Sequence, residues 1–224
     1  MKSLVFLAVL FLAPLTWGRS TEFGNGGNAV ICPGSPIMYD AYEAQARYGM
    51  TPVYPTVQSN PVCSNPNSAC SSQTLMAKTI IRRLKSLDPE LELILQRLVD
   101  GFWNEALLTQ SELLSVNDTG IGFIERGCEL KQLALQHEPL FEEDSRYFIA
   151  KRIWDNMFPK DQAALIIHEV LYNYALSVNP DTNSSEKIRY FNALLLSNRI
   201  QEISPQRYQR IKEKVFLRPM PLPN

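Results

Sequence analysis

The sequence predicts an α+β fold, mainly helical, with a small antiparallel sheet in the middle of the chain. Three observations carry this. Apolar residues recur at helical spacing between Leu75 and Phe102. Short alternating or β-rich runs broken by turn residues follow between Leu113 and Ile149. Helical periodicity then returns from Asp161 to Phe216.

The first eighteen residues read as a signal peptide. Lys2 supplies a positive start, Leu4 to Leu15 an apolar stretch too short to span a bilayer comfortably, and Thr16 and Gly18 the small residues of a cleavage site. The expected mature chain begins near Arg19 and has no membrane span. Residues 19–72 read as an irregular Pro/Ser/Asn-rich segment packed on the domain, residues 73–218 as a single globular domain, and residues 219–224 as an extended tail. Within the first segment, Ala29 to Cys32 reads as a short strand ended by Pro33-Gly34, and Tyr39 to Arg47 as a short helix. Thr51 to Ser72 reads as a long loop.

Leu75, Met76, Ile80, Leu84 and Leu87 predict a helix up to Asp88. Asp88-Pro89 then reads as an N-cap with proline at the first helical position. Leu91, Ile94, Leu95, Leu98, Val99 and Phe102 form the stripe of a second helix. Leu113 to Val116 and Ile121 to Ile124 flank the turn residues Asn117 to Gly120 and predict a hairpin. Glu129 to Gln136 predicts a third strand and Tyr147 to Ile149 a fourth, before a helical turn at Lys151 to Trp154. Asp161 is expected to cap a helix to about Ser177. Asn183 or Ser184 is expected to cap the next, running to about Arg199, and Ser204-Pro205 opens a last one ending near Phe216. Trp103, Trp154, Phe102 and Phe158 read as core aromatics.

Formal charge is -1, and -2 once Lys2 leaves with the signal, which argues against nucleic acid as a partner. The expected partner is an envelope or extracellular one whose identity the sequence does not give. Four cysteines in an exported chain point to disulfides and allow three pairings. The simplest local closure is Cys63 with Cys70, leaving Cys32 with Cys128. The run Glu142-Glu143-Asp144 reads as a solvated turn, and His137 as a surface loop residue. The chain carries no G-x-S-x-G elbow, P-loop or dinucleotide fingerprint.

The segment His168-Glu169-Val170-Leu171-Tyr172 is one residue short of the H-E-x-x-H signature, which places two imidazoles one helical turn apart beside a glutamate base. The chain has two histidines, so a three-histidine zinc site cannot be assembled. Leu165, Ile166, Ile167, Val170 and Leu171 surround the pair with apolar side chains, and the short connection to the next helix brings Tyr172, Asp181, Asn183, Arg189 and Asn192 within reach. Three readings follow. The favoured one is a buried structural network in which Glu169 pairs with Arg189, with no cofactor. The second is a divalent-metal site using His168 and Asp181, with or without Tyr172, and Glu169 as base. The third is a metal-free acid–base site in which His168 and Glu169 are catalytic.

Landmarks in order along the chain are Gly24 to Cys32 (GNGGNAVIC), Tyr42-Glu43-Ala44, Arg126 to Gln136 (RGCELKQLALQ), Ile166 to Tyr172 and Thr182-Asn183-Ser184 leading to Arg189 to Asn192 (RYFN). Together they resemble a family of uncharacterised exported proteins from predatory and related Gram-negative bacteria. The resemblance covers most of the mature chain apart from Thr51 to Ser72. It implies an envelope or secreted location and a shared fold, and no particular activity. Cys32 and Cys128 both fall inside its landmarks, which fits their pairing. Its pattern often carries histidine at the position of Asp181 and arginine at that of Asn173, and this chain departs from it at both.

Overall fold

The computed structural model describes residues 27–217 apart from 58–62, 64, 116–117, 123 and 183. The expected signal peptide, the tail at 219–224, the turn residue Asn117 and the site residue Asn183 therefore lie outside the described residues. The architecture is α+β and mainly helical, as the sequence predicts, with two small three-stranded sheets.

The helix that organises the molecule is α5, Pro159–Val178. Because it is apolar on nearly every face, it can be stable only if surrounded. Helices α1 (Tyr39–Ala46), α2 (Ser72–Ile81), α3 (Pro89–Gly101), α6 (Glu186–Leu196) and α7 (Pro205–Phe216) all pack against it. A short helix, α4 (Lys151–Trp154), precedes it. Asp161 does not cap α5. Pro159 is its first residue, and Asp161, in the first turn, turns inward to accept from the Met38 amide at 3.1 Å. Phe158, expected in the core, is 55% exposed.

Asp88 caps α3 as expected, accepting from the Leu91 amide at 3.1 Å. Its other oxygen accepts from the Tyr208 hydroxyl and from Lys212, each at 2.6 Å, so one carboxylate also anchors α7. Burial opposes the charge on Asp88, but these donors outweigh it and hold its pKa below the usual value. The helix expected up to Asp88 ends earlier, tightening at Ile81 into a 3-10 turn over Arg82–Leu84. Helix α6 stops at Leu196 rather than near Arg199. Asn198 takes a left-handed conformation (φ 65°), which ends the helix before a 3-10 turn at Arg199–Glu202.

One sheet has the order β2-β1-β4, with β1 (Asn28–Ile31) between β2 (Ile37–Met38) and β4 (Glu129–Gln132), all antiparallel. The Cys32–Cys128 disulfide closes this ladder one residue beyond the Ile31–Glu129 pair. The other sheet has the order β3-β6-β5: β6 (Tyr147–Ala150) runs parallel to β3 (Ala106–Thr109) and antiparallel to β5 (Ala134–Gln136). The single strand expected over Glu129 to Gln136 is thus two strands in separate sheets. The break is Leu133, where the amides of Leu133 and Ala134 both donate to the Gly27 carbonyl at 2.9 Å.

The hairpin expected around Asn117 to Gly120 is absent among the described residues. Its backbone groups serve other partners: the carbonyls of Thr119 and Gly120 accept from Arg189, and the Gly122 amide donates to the Tyr39 hydroxyl. Strand β3 has no signature in the sequence, because Ala106–Thr109 is too short to show a period. A second disulfide, Cys63–Cys70, closes the local loop expected from its spacing. Two disulfides are typical of chains in an oxidising compartment. No described helix is long and apolar enough to cross a membrane.

Candidate functional site

His168 and Glu169 are consecutive on α5, and successive helical positions diverge by about 100°. They therefore face different neighbours. His168 Nδ1 lies 2.8 Å from Asp40 Oδ2, at the first turn of α1. Asn192 on α6 donates to the same oxygen at 2.7 Å and to the Ala164 carbonyl at 3.0 Å. Asp40 thus joins three helices at one buried point. Burial alone would disfavour the imidazolium, but the Asp40 charge and hydrogen bond overcome it and hold the His168 pKa above the ordinary value.

Glu169 faces the opposite way. Its Oε1 accepts from the Gly27 amide at 2.7 Å, and its backbone carbonyl accepts from Gln136 at 3.3 Å. A Cβ at position 27 would lie 2.0 Å from Leu165 Cδ1 and 3.3 Å from Glu169 Oε1. Only glycine lets the chain approach α5 this closely. Desolvation pushes the Glu169 pKa up, more than His168 and the Gly27 amide pull it down. Both neighbours are thus pushed upward, His168 toward the imidazolium and Glu169 toward the neutral acid.

Arg189 does not pair with Glu169, contrary to expectation. Its Nε donates to Glu43 Oε2 at 2.9 Å, one Nη to Asp118 and to Ser185 Oγ at 2.9 Å, and the other Nη to the carbonyls of Thr119 at 3.0 Å and Gly120 at 3.2 Å. Every donor of the guanidinium is used. Burial opposes its charge, yet Asp118 and Glu43 raise its pKa. Asp118 also accepts from Ser185 Oγ at 2.5 Å and the Ser185 amide at 3.2 Å, so it holds the start of α6 from a distant loop. The N-cap of α6 is Ser185 rather than the expected Asn183 or Ser184, and Ser184, one residue earlier, accepts from the Glu186 amide at 3.2 Å. Arg47 closes the outer edge, bonded to Glu43 and Glu186 at 2.8 Å each.

Of the residues the sequence grouped, the structure brings His168 and Asn192 together through Asp40, and sets Tyr172 one turn from His168 with the rings stacked at 6.4 Å. Burial, with Asp118 and Glu169 nearby, raises the Tyr172 pKa, so this phenol keeps its proton. Asp181 is not part of the group. It is exposed, beyond the C-terminus of α5, in a surface cleft with Thr182, Ser184 and Lys187. Val178 already lies about 15 Å along the helix axis from His168. His168 and Asp181 therefore do not form a joint metal site, and the described residues hold no group of three or more His, Cys, Asp or Glu arranged for a metal ion.

Sequence reasoning missed Asp40, Glu43 and Asp118. The available signal was on Tyr39–Ala46, where Asp40 and Glu43 lie three apart on the face that also carries Ala44. Carboxylates on a buried helical face demand partners.

These shifts set a pH dependence. Unfolded, Glu169 titrates near the ordinary value of 4.5, whereas folded it keeps its proton to higher pH. The stability it contributes is full below that value and is lost as pH rises through the folded pKa. His168 has the same sign, with stability full below 6.5 and lost above its raised pKa. Glu169→Gln mimics the neutral acid and removes the first of these losses. Its unfolding free energy is expected to fall less steeply than the wild type's above pH 4.5, by up to about 1.4 kcal/mol per pH unit where Glu169 titrates. Urea titrations at several pH values measure this, and parallel curves would contradict it.

Compared with known proteins, the chain matches no family model, no curated protein and no solved structure.

Proposed function

We propose that this is an exported, disulfide-stabilised protein that works by binding or as a structural component, and that its His168-Glu169 segment is a degenerate zincin-like helix used for packing. The observation that carries this reading is burial: His168 and Glu169 are both 0% exposed, and neither lines any of the main surface clefts. A general base needs access to substrate and a ready proton-free state. Glu169 lacks the first, being 0% exposed. The apolar start of the chain and the two disulfides support export to the periplasm or beyond.

The alternative reading is a hydrolase using His168 and Glu169, metal-dependent or not. One observation favours it: His168 Nε2 and Glu169 Oε2 have no hydrogen-bond partner among the described residues. Metal analysis of the purified protein separates the two. The packing reading expects substoichiometric zinc, unaltered by His168→Ala. One zinc per chain, lost in His168→Ala, would establish the alternative.

A further inference from the structure

The sheet β3-β6-β5 buries one face in the core and leaves the other outside it, half-buried at Leu135 and Phe148 and exposed at Leu107. Its register places Leu107, Phe148 and Leu135 in one row across three strands. Neighbours in register share a face, and alternation along each strand sends the flanking residues to the other one. Those flanking residues, Tyr147 and Ile149, are buried in the core, whereas none of the row belongs to it. Leu107 is 47% exposed, and Phe148 meets His137 edge-on at 4.9 Å.

The connection between β5 and β6 adds a second apolar element. Leu140 and Phe141, at its tip, are 76% and 66% exposed. They are not on a slack loop: Asp144 Oδ2 accepts from both their amides at 3.0 Å, and the Asp144 amide returns a bond to the Phe141 carbonyl at 3.1 Å. The turn holds two adjacent large apolar side chains in water, outside the core. Around them, Glu138, Glu142 and Glu143 are exposed and make no ion pair among the described residues.

We propose that this hairpin tip is a docking surface for a cationic amphipathic polypeptide segment, whose apolar residues cover Leu140 and Phe141 and whose Lys or Arg residues meet Glu138, Glu142 and Glu143. Charge selects this occupant. A second copy docking tip to tip would set glutamates against glutamates, and an anionic membrane would be repelled by the same residues. This inference rests on the binding reading above.

The test is fluorescence anisotropy with a labelled amphipathic Leu/Lys helical peptide and a Leu/Glu peptide of the same pattern. The Leu/Lys peptide is expected to bind, more weakly as salt rises, and the Leu/Glu peptide is not. The double variants Leu140→Ser/Phe141→Ser and Glu142→Lys/Glu143→Lys leave the Asp144 brace intact, and each is expected to lower affinity by about tenfold or more. Three results overturn the proposal: no binding of the Leu/Lys peptide, equal binding of both peptides, or equal affinity of the variants and wild type. Dimerisation abolished by Leu140→Ser/Phe141→Ser, without peptide binding, would assign the tip to self-association. Binding to phosphatidylcholine vesicles without peptide binding would assign it to lipid. None of these readouts involves His168, so they fail or succeed separately from the metal analysis.

Discussion

Arg189→Leu is expected to destabilise the folded protein by about 3–5 kcal/mol, the range for removing one partner of a buried ion pair. The cost is not the loss of a favourable pair energy alone. The Glu43 and Asp118 side chains are both buried, and without the guanidinium each loses the partner that compensates its burial. The carbonyls of Thr119 and Gly120 lose a donor as well, so the loop from Asp118 to Gly120 loses its hold on α6. Arg189→Lys recovers little, because an ammonium cannot reproduce five donors in a planar fork. Arg47 provides the control. It meets Glu43 and Glu186 but is 40% exposed, and Arg47→Leu is expected to cost about 1 kcal/mol or less. Urea unfolding of the three variants measures the ranking. Equal small losses for Arg189→Leu and Arg47→Leu would remove Arg189 from its place in the core.

Asp40→Ala is the second large effect, at about 3 kcal/mol or more, because it strands a buried imidazole and a buried amide at once. It also carries a signature in pH. With Asp40 present, the His168 pKa is raised, and the stability from His168 is full below 6.5. Without Asp40, burial acts unopposed by that partner and moves the folded pKa down. The sign then reverses: the histidine's contribution is present above the unfolded pKa and is lost as pH falls through the folded one. The deficit of Asp40→Ala relative to wild type should therefore be larger at pH 5 than at pH 8. Thermal unfolding at the two pH values reads this directly, and a deficit independent of pH would mean that Asp40 does not hold the imidazolium.

The features readable from sequence were those set by local chemistry. Asp88-Pro89 names its own helix start, Ser204-Pro205 likewise starts α7, where Ser204 accepts from the Arg207 amide, and the spacing of Cys63 and Cys70 favours their closure. The apolar surround of His168 and Glu169 gave their burial. What local chemistry does not contain is the partner. His168 meets Asp40 across 128 residues, Glu169 meets Gly27 across 142, and Arg189 meets Glu43 across 146. The brief α5–α6 connection correctly brought Asn192 to His168. It misled for Glu169 and Arg189, because adjacent helical positions point in different directions and Glu169 faces away from α6. The strand pattern from Glu129 to Gln136 was visible, but not its division at Leu133, which depends on the distant Gly27 carbonyl.

His168 is sealed inside the folded protein, with none of its surface exposed. Its reactivity in the native state tests this most directly, and the chain supplies its own control. Diethyl pyrocarbonate acylates accessible neutral imidazoles, and His137, partly exposed beside Phe148, should react in the native protein. Mass spectrometry is expected to find His137 modified and His168 untouched over a pH range extending above neutrality, where protonation no longer shields an exposed imidazole, with His168 reacting only as the chain unfolds in urea. Modification of His168 in the folded protein at a rate comparable to that of His137 would contradict this.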